Sequence, residues 1–366
     1  MHLPRLKTTT EVFTSPDGDI CLLRPSDEAD LVLEGAGPRD HELVAALDGR
    51  TSRSALEADF GVAPVAELIG LLDAEGLIED ASAYAALSDE ERGRYDRQLR
   101  YFADLAPDGL TGPECQLRLR DARVLVLGVG GLGSWAALSL ACCGVGELTL
   151  VDGDAVELSN LNRQVLFSAG DIGRPKARVA AAAIGRFNPG IRVVPVERTL
   201  GSQAEVAAAV RGSSFVVDAA DRPAHDIERW VNAACFAEGV PYVTMSHFPP
   251  FARVGPLYVP GETGCFNCQE RAYRRSYELY DHIVDQRRGS PSPAATLGPV
   301  CAFVGGQVAL DVVHHLTGLC EPASRGRVRV FDTRTLEVSD ERVPRDPDCE
   351  VCGTENGGSR APRARG

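Results

Sequence analysis

The stretch Val124-Leu125-Val126-Leu127-Gly128-Val129-Gly130-Gly131-Leu132-Gly133-Ser134 decides the reading of this chain. Val124–Leu127 is a short apolar run bounded by glycine, which predicts a buried strand, and the apolar residues after the glycines predict a helix over Gly133–Cys143. Gly128, Gly130, Gly131 and Gly133 let backbone N–H groups approach a phosphate at a helix N-terminus, where unsatisfied donors and the helix dipole favour negative charge. About 20 residues on, a second strand, Leu148–Asp152, ends in an acid whose carboxylate can bind ribose hydroxyls. A nucleotide is implied. The glycine string alone leaves nicotinamide cofactors, flavins and ATP open, and taken by itself it favours a dinucleotide dehydrogenase.

Outward from this motif the pattern keeps alternating. Helix Lys176–Asn188, strand Arg192–Val196, the apolar segment Val206–Val210 and strand Phe215–Asp218 follow, and such βαβ alternation predicts an α/β, Rossmann-like, doubly wound and mostly parallel sheet. Upstream, Glu11–Phe13 and Ile20–Arg24 flank the turn Pro16-Asp17-Gly18, with a third short strand in Asp30–Glu34. Helical spacing then runs through His41–Leu47, Arg53–Phe60 and Val65–Glu75. Three strands followed by three helices predict a small winged-helix-like α+β module over residues 1–85. Residues 86–122 read as a linker with entry helices, with the polar, alanine-rich Ala81–Arg94 as the joint; residues 123–352 read as the main domain and 353–366 as a disordered tail.

A length of 366 residues fits two domains. The net charge of -14 repels phosphate backbones and anionic lipid, so neither nucleic acid nor membrane is an expected partner. No basic-then-apolar leader is present and no apolar run is long enough to span a bilayer, which predicts a cytoplasmic protein. Eleven cysteines in a chain of this size without an export signal predict reduced thiols.

A polar cluster changes the nucleotide reading. Asp152 is followed by Asp154, then Ser159-Asn160-Leu161-Asn162-Arg163-Gln164 and Gly173-Arg174-Pro175-Lys176. Hydride transfer has no use for this arginine and lysine, whereas splitting ATP at the α-phosphate needs cations on the phosphates and the departing pyrophosphate. Strand Phe215–Val217 runs into Asp218-Ala219-Ala220-Asp221, putting carboxylates at the sheet edge where doubly wound folds bind ligands and where an acid can hold magnesium against a triphosphate.

These motifs, from Tyr95 to Cys352, resemble the ThiF/MoeB/HesA adenylating family, relatives of the ubiquitin-activating enzymes that adenylate C-terminal carboxylates of small carrier proteins. Tyr95-Asp96-Arg97-Gln98 is similar to the entry motif whose arginine reaches across a homodimer to the partner's ATP phosphates, so the resemblance implies a dimer with Arg97 acting in trans. It further implies that Gly128–Gly133 cradles ATP, Asp152 binds the ribose, and Ser159, Asn160 and Arg163 contact phosphate. Lys176 corresponds to the catalytic lysine and Asp221 to the magnesium-linked aspartate. One departure stands out: the family places Asn directly after this aspartate, and here Arg222 follows.

Two Cys-x-x-Cys pairs, Cys265/Cys268 and Cys349/Cys352, have the spacing of zinc knuckles, with redox pairing as the alternative. The resemblance implies one shared, closed and structural zinc site. Sulfur-transferring members resemble one another in a crossover cysteine shortly before a Gly-Pro, and here Gly289–Leu297 ahead of Gly298-Pro299 has none. Cys301, beyond that proline, reads as core, so a thioester or persulfide step is disfavoured. Between knuckle and helix, Gln269–Gly289 interleaves Arg271, Arg274, Arg275, Arg287 and Arg288 with tyrosines and balancing acids. By position it resembles the crossover that covers the substrate's tail, with an amphipathic structural helix as the alternative; His247 either lines that groove or is a structural loop residue.

The front module carries six basic and 17 acidic residues, which argues against DNA binding. Its element order resembles the PqqD-like modules that bind a leader peptide by strand addition, with a packing or dimerisation extension as the alternative. The expected function is ATP-dependent adenylation of a precursor-peptide carboxylate. The alternatives are an adenylyltransferase for a Gly-Gly-ended sulfur carrier and a non-catalytic leader-presenting scaffold.

Overall fold

Short apolar strands interrupted by turn residues begin the chain: β1 (Pro4–Leu6), β2 (Glu11–Thr14), β3 (Ile20–Leu23) and β4 (Leu31–Leu33). The computed structural model describes residues 1–23, 30–107, 109–289 and 295–353, so the expected end of the second strand at Arg24 and the expected tail beyond Gly353 lie outside the described residues. The chain divides into two units, Met1–Leu117 and a second that begins at Arg118.

In the first unit, helices α1 (Pro38–Ala46), α2 (Arg53–Phe60) and α3 (Val62–Ala74) follow the strands, and β5 (Ile78–Asp80) closes the set. Strands β2, β3 and β4 form an antiparallel sheet, while β1 pairs with β5. The β1–β5 ribbon was not legible in the sequence because it joins the two ends of the segment. Helix α1 starts ahead of the expected His41 because Pro38 suits a first turn and the Asp40 carboxylate accepts the Gly37 N–H at 2.8 Å. Ile20, Leu22, Leu43, Leu56, Val65, Ile69 and Leu72 make the core. Within Ala81–Arg94, a 3-10 turn over Ala81–Ala86 leads to α4 (Asp89–Arg94), whose start is fixed by reciprocal Ser88–Glu91 capping. Helices α5 (Asp96–Leu105) and α6 (Gly112–Asp121) follow.

The second unit runs β6 (Arg123–Leu127), α7 (Gly131–Cys142), β7 (Glu147–Val151), α8 (Lys176–Phe187), β8 (Arg192–Val196), α9 (Gln203–Val210), β9 (Phe215–Asp218), α10 (Asp226–Glu238), β10 (Tyr242–Phe248), β11 (Phe251–Tyr258), α11 (Phe266–Ser276), α12 (Tyr280–Gly289), α13 (Gly298–Thr317), β12 (Arg327–Asp332) and β13 (Val338–Arg342). Val206–Val210 belongs to a helix, because Ser202 caps its first turn and Val206 and Val210, four residues apart, both point into the core.

One sheet holds eight strands in the order β13-β12-β11-β10-β9-β6-β7-β8. The five from β10 to β8 are parallel, as the sequence pattern predicts; β11, β12 and β13 extend it in antiparallel register. Strand β6 lies between β7 and β9, so the connections leave it in opposite directions and open a crevice beyond its C-terminal end. Helix α13 is long and apolar enough by composition to cross a bilayer, but half of it is buried. It packs on α7 so closely that a methyl group on Gly305 would lie 2.6 Å from Trp135 Cβ.

Candidate active site

The crevice at the end of β6 is shaped by glycines, two of which, Gly128 and Gly133, leave no room for a side chain. Gly128 has φ +83°, and a Cβ there would meet the Ala219 carbonyl oxygen at 2.7 Å, so the first turn of the loop touches the exit of β9. A Cβ on Gly133 would sit 2.0 Å from the Gly128 oxygen. Gly131, the first residue of α7, faces Cys301 Sγ at 2.9 Å and the Arg163 side chain at 3.4 Å from its own Cβ position, whereas the nearest atom to Gly130 is Gln164 Nε2 at 3.9 Å. The N-terminus of α7 therefore opens on a space bounded by the 159–164 segment.

Asp152, one residue past β7, braces the loop. Its Oδ2 accepts the Val129 N–H at 2.8 Å and its Oδ1 the Asp154 N–H at 2.9 Å, while burial raises its pKa against the pull of those bonds and of Lys176. Lys176, the first residue of α8, is buried, and its Nζ donates to Asp154 Oδ2 at 2.9 Å. Asp154 is largely exposed, so the ammonium is held from one side only. Asp154 thus has a role that its position in the sequence left unassigned.

Ser159 and Asn160 lie on a 3-10 turn, Leu158–Asn160. Asn160 is buried and accepts the Glu157 N–H through Oδ1 at 3.0 Å, while Ser159 Oγ donates to Glu157 Oε2 at 3.2 Å. Arg163 Nη1 donates to the Ser159 carbonyl at 2.6 Å and to Asn162 Oδ1 at 3.1 Å, and the Arg163 carbonyl accepts Trp135 Nε1–H at 3.1 Å. Gln164 went unremarked in the sequence: its Oε1 is buried with no partner among the described residues. An orphan acceptor beside a glycine loop is consistent with a bound group that carries donors.

On the other side of the crevice, Asp221 is exposed on the segment after β9, while Asp218 is buried and accepts the Ala220 N–H at 3.3 Å. Burial, helped by the Glu228 charge, pushes Asp218 up to about 8. A folded-state pKa above the unfolded value of about 4 means that the stabilising contribution is complete below about pH 4 and is lost as pH rises through 8. Asp218→Asn is therefore expected to match the wild type in melting temperature near pH 4 and to exceed it at pH 8.5, as read by scanning fluorimetry; a constant difference across that range would refute the assignment. Arg97 lies in the first unit on α5, with its side chain 88% exposed and Nε 3.7 Å from Asp96 Oδ2.

Four buried sulfurs form a second cluster. Cys265 and Cys268 at the start of α11 meet Cys349 and Cys352, with Sγ–Sγ distances of 3.9 Å (265–268), 3.5 Å (265–349) and 3.3 Å (268–352), and all four within 4.8 Å of one another. A tetrahedral ion with metal–sulfur bonds of about 2.3 Å spaces its sulfurs at about 3.8 Å, and disulfide-bonded sulfurs would be about 2.05 Å apart. The donor set and spacing fit a closed four-thiolate zinc site rather than a redox pair. The Asp346 N–H donates to Cys268 Sγ at 3.3 Å, and Asp346 in turn pairs with Arg271 and Arg275 at 2.8 Å.

Those two pairs, with Arg274–Asp281 and Arg288–Asp226, engage four of the five arginines expected on the crossover segment, which is two helices, α11 and α12; the Arg287 side chain lies outside the described residues. His247 is half-buried, with Nδ1 3.3 Å from Thr296 Oγ1, and Thr296 Oγ1 lies 3.2 Å from the buried Cys301 Sγ. Residues 290–294 of the segment before Gly298 lie outside the described residues.

The ThiF family profile matches residues 95–351. The chain belongs to the ThiF family. It is 35% identical over 270 residues to the molybdopterin-synthase adenylyltransferase of Escherichia coli K12, covering 74% of this chain and 99% of that one. It is likewise 35% identical over 270 residues to the E. coli K12 sulfur carrier protein ThiS adenylyltransferase, covering 74% and 98%. Among solved structures, E. coli MccB with MccA-N7isoASN superposes with a TM-score of 0.73 at 25% identity, over 96% of this chain and 100% of that one. Adenylyl transfer from ATP is accordingly the reaction of this ThiF-family chain, and the non-catalytic scaffold reading falls away.

Proposed function

We propose that this protein adenylates a carboxylate of a ribosomally made precursor peptide during maturation of a peptide natural product, working as a cytoplasmic homodimer. The observation that carries the reading is the extent of the structural likeness. The two E. coli adenylyltransferases account for 74% of the chain, whereas the likeness to MccB, solved with MccA-N7isoASN, runs over 96% and so takes in the strands and helices of the first unit. In this reading the first unit is a PqqD-like module that holds a leader segment by strand addition. Domain limits of 1–85, 86–122 and 123–352 belong to the same proposal.

In the proposed site, ATP lies on the glycine loop with its ribose at Asp152, and the α7 N-terminus, Ser159, Asn160 and Arg163 face its phosphates. Lys176, steadied by Asp154, neutralises charge that develops as the carboxylate attacks the α-phosphorus and pyrophosphate departs. Asp221 holds the magnesium that accompanies the triphosphate, and Arg97 of a second copy completes the cationic set. No side-chain nucleophile is needed, since positioning and charge neutralisation carry the step. The four-cysteine cluster holds a structural zinc.

The sulfur-carrier reading stands as the second, supported by the 35% identity to full-length adenylyltransferases of that kind. ATP–pyrophosphate exchange separates the two when driven either by synthetic peptides encoded beside this chain or by a Gly-Gly-ended sulfur-carrier protein. Exchange with a peptide and none with the carrier is expected; exchange with the carrier alone would overturn the peptide reading.

A further inference from the structure

The segment between β9 and α10 carries Asp221, and each of its ends is anchored differently. Its start is tied to the sheet and the glycine loop, where the Ala219 N–H donates to the Leu127 carbonyl at 2.9 Å and the Ala220 N–H to Asp218. Its end is His225, with φ +70° and ψ −31°. A non-glycine residue rarely adopts a positive φ, and holding one there costs about 1–3 kcal/mol unless surrounding contacts enforce it.

Those contacts come from one buried side chain on α11. Glu270 is 3% exposed, two residues beyond Cys268. Its Oε1 lies 2.8 Å from His225 Nε2, and Arg229, one turn into α10, donates to both carboxylate oxygens at 2.9 and 3.0 Å. Tyr280 of α12 donates to Oε1 at 3.4 Å and sets its ring edge against His225, with Phe266 on another side. A carboxylate with a single ion-pair partner would serve to dock α11 on α10. This one also holds the residue that ends the Asp221 segment in an unfavourable backbone conformation.

We propose that Glu270 is a positioning residue for the Asp221 segment: by holding His225 and Arg229 together it fixes residues 219–225 in the conformation that presents Asp221 to the metal of bound ATP. The inference rests on the reading of Asp221 as the magnesium carboxylate. Glu270 bonds His225, Arg229 and Tyr280, and no bond to Asp221 is among them. Its effect passes through the backbone from His225, and outer partners of this sort change metal affinity by about 10- to 100-fold when removed.

The test is calorimetric ATP binding to the full chain across a magnesium titration, with melting temperature measured alongside. Glu270→Ala is expected to raise the magnesium concentration at half-maximal enhancement about 10-fold, with ATP affinity in the absence of magnesium unchanged. Glu270→Gln, which keeps an acceptor for His225, is expected to recover most of that shift. His225→Ala leaves the Arg229–Glu270 pair intact and is expected to raise the midpoint as Glu270→Ala does; it serves if the Glu270 variants do not fold. Asp221→Asn tests the underlying reading and is expected to abolish the magnesium dependence. A wild-type midpoint in folded His225→Ala or Glu270→Ala, beside a shifted Asp221→Asn, would overturn the positioning role alone. An unchanged Asp221→Asn would overturn the magnesium reading and this inference with it.

Discussion

Lys176→Ala is expected to lower substrate-dependent ATP–pyrophosphate exchange by about 10³-fold, the scale on which single groups that stabilise transition-state charge act. The structure indicates why the loss should fall on rate rather than on folding. Lys176 is buried at the start of α8, but its partner Asp154 is largely exposed, so removing the ammonium leaves a carboxylate that water can solvate. The destabilisation that follows when a buried ion pair loses one member is thereby avoided. The glycine loop and the Arg163 segment are untouched, and Asp152 keeps its bonds from the Val129 and Asp154 N–H groups while losing the pull of Lys176, so ATP binding should weaken far less than exchange. Exchange rate at saturating ATP, ATP affinity by calorimetry and melting temperature together check this. Exchange within about threefold of wild type, at unchanged melting temperature, would remove Lys176 from the reaction.

The second large effect concerns the sulfur cluster. The purified chain is expected to carry one zinc by elemental analysis, and Cys349→Ser to lose it together with about 10 °C or more of melting temperature. Beyond β13 the chain makes no further strand among the described residues, and its attachment runs through a small set of contacts. These include the Val343 N–H to the Gly326 carbonyl, Arg345 to the Gly261 carbonyl, the Asp346 N–H to Cys268 Sγ and its carboxylate to Arg271 and Arg275, the packing of Val343 and Val351 on the core, and the four sulfurs themselves. Four buried sulfurs without a cation cannot all be thiolates, because like charges in a medium of low polarity repel strongly. Loss of the ion should therefore release Val343–Gly353 and loosen the start of α11, from which Glu270 reaches His225. A zinc-free protein with unaltered melting temperature would show that sulfur packing alone holds this segment.

Much of the candidate site was legible as secondary structure because its parts are local. A strand that runs into glycines and a helix, an acid at the end of the next strand and a lysine at the start of a following helix each depend on short-range pattern, and chain order preserves them. What the sequence left open has equally specific causes. Val206–Val210 is apolar and short, which suits a strand or a helix alike until the Ser202 cap is seen. Within Ala81–Arg94, alanine and charged residues hide a capping box. Asp154 and Gln164 sat inside quoted motifs without a role, since what distinguishes them is a salt bridge 22 positions away and a buried orphan oxygen.

The sequence by itself determined the strand–glycine loop–helix crevice of the candidate site and membership of an adenylating family, because strand, loop and helix signals repeat in a fixed order along one stretch of chain. Only the tertiary structure decided the antiparallel extension of the sheet, the β1–β5 ribbon and the meeting of four sulfurs across 84 positions. The grip of Glu270 on His225, 45 positions apart, belongs with them. Periodicity and capping act within a few residues, whereas these contacts exist only after the sheet has set which distant segments lie side by side.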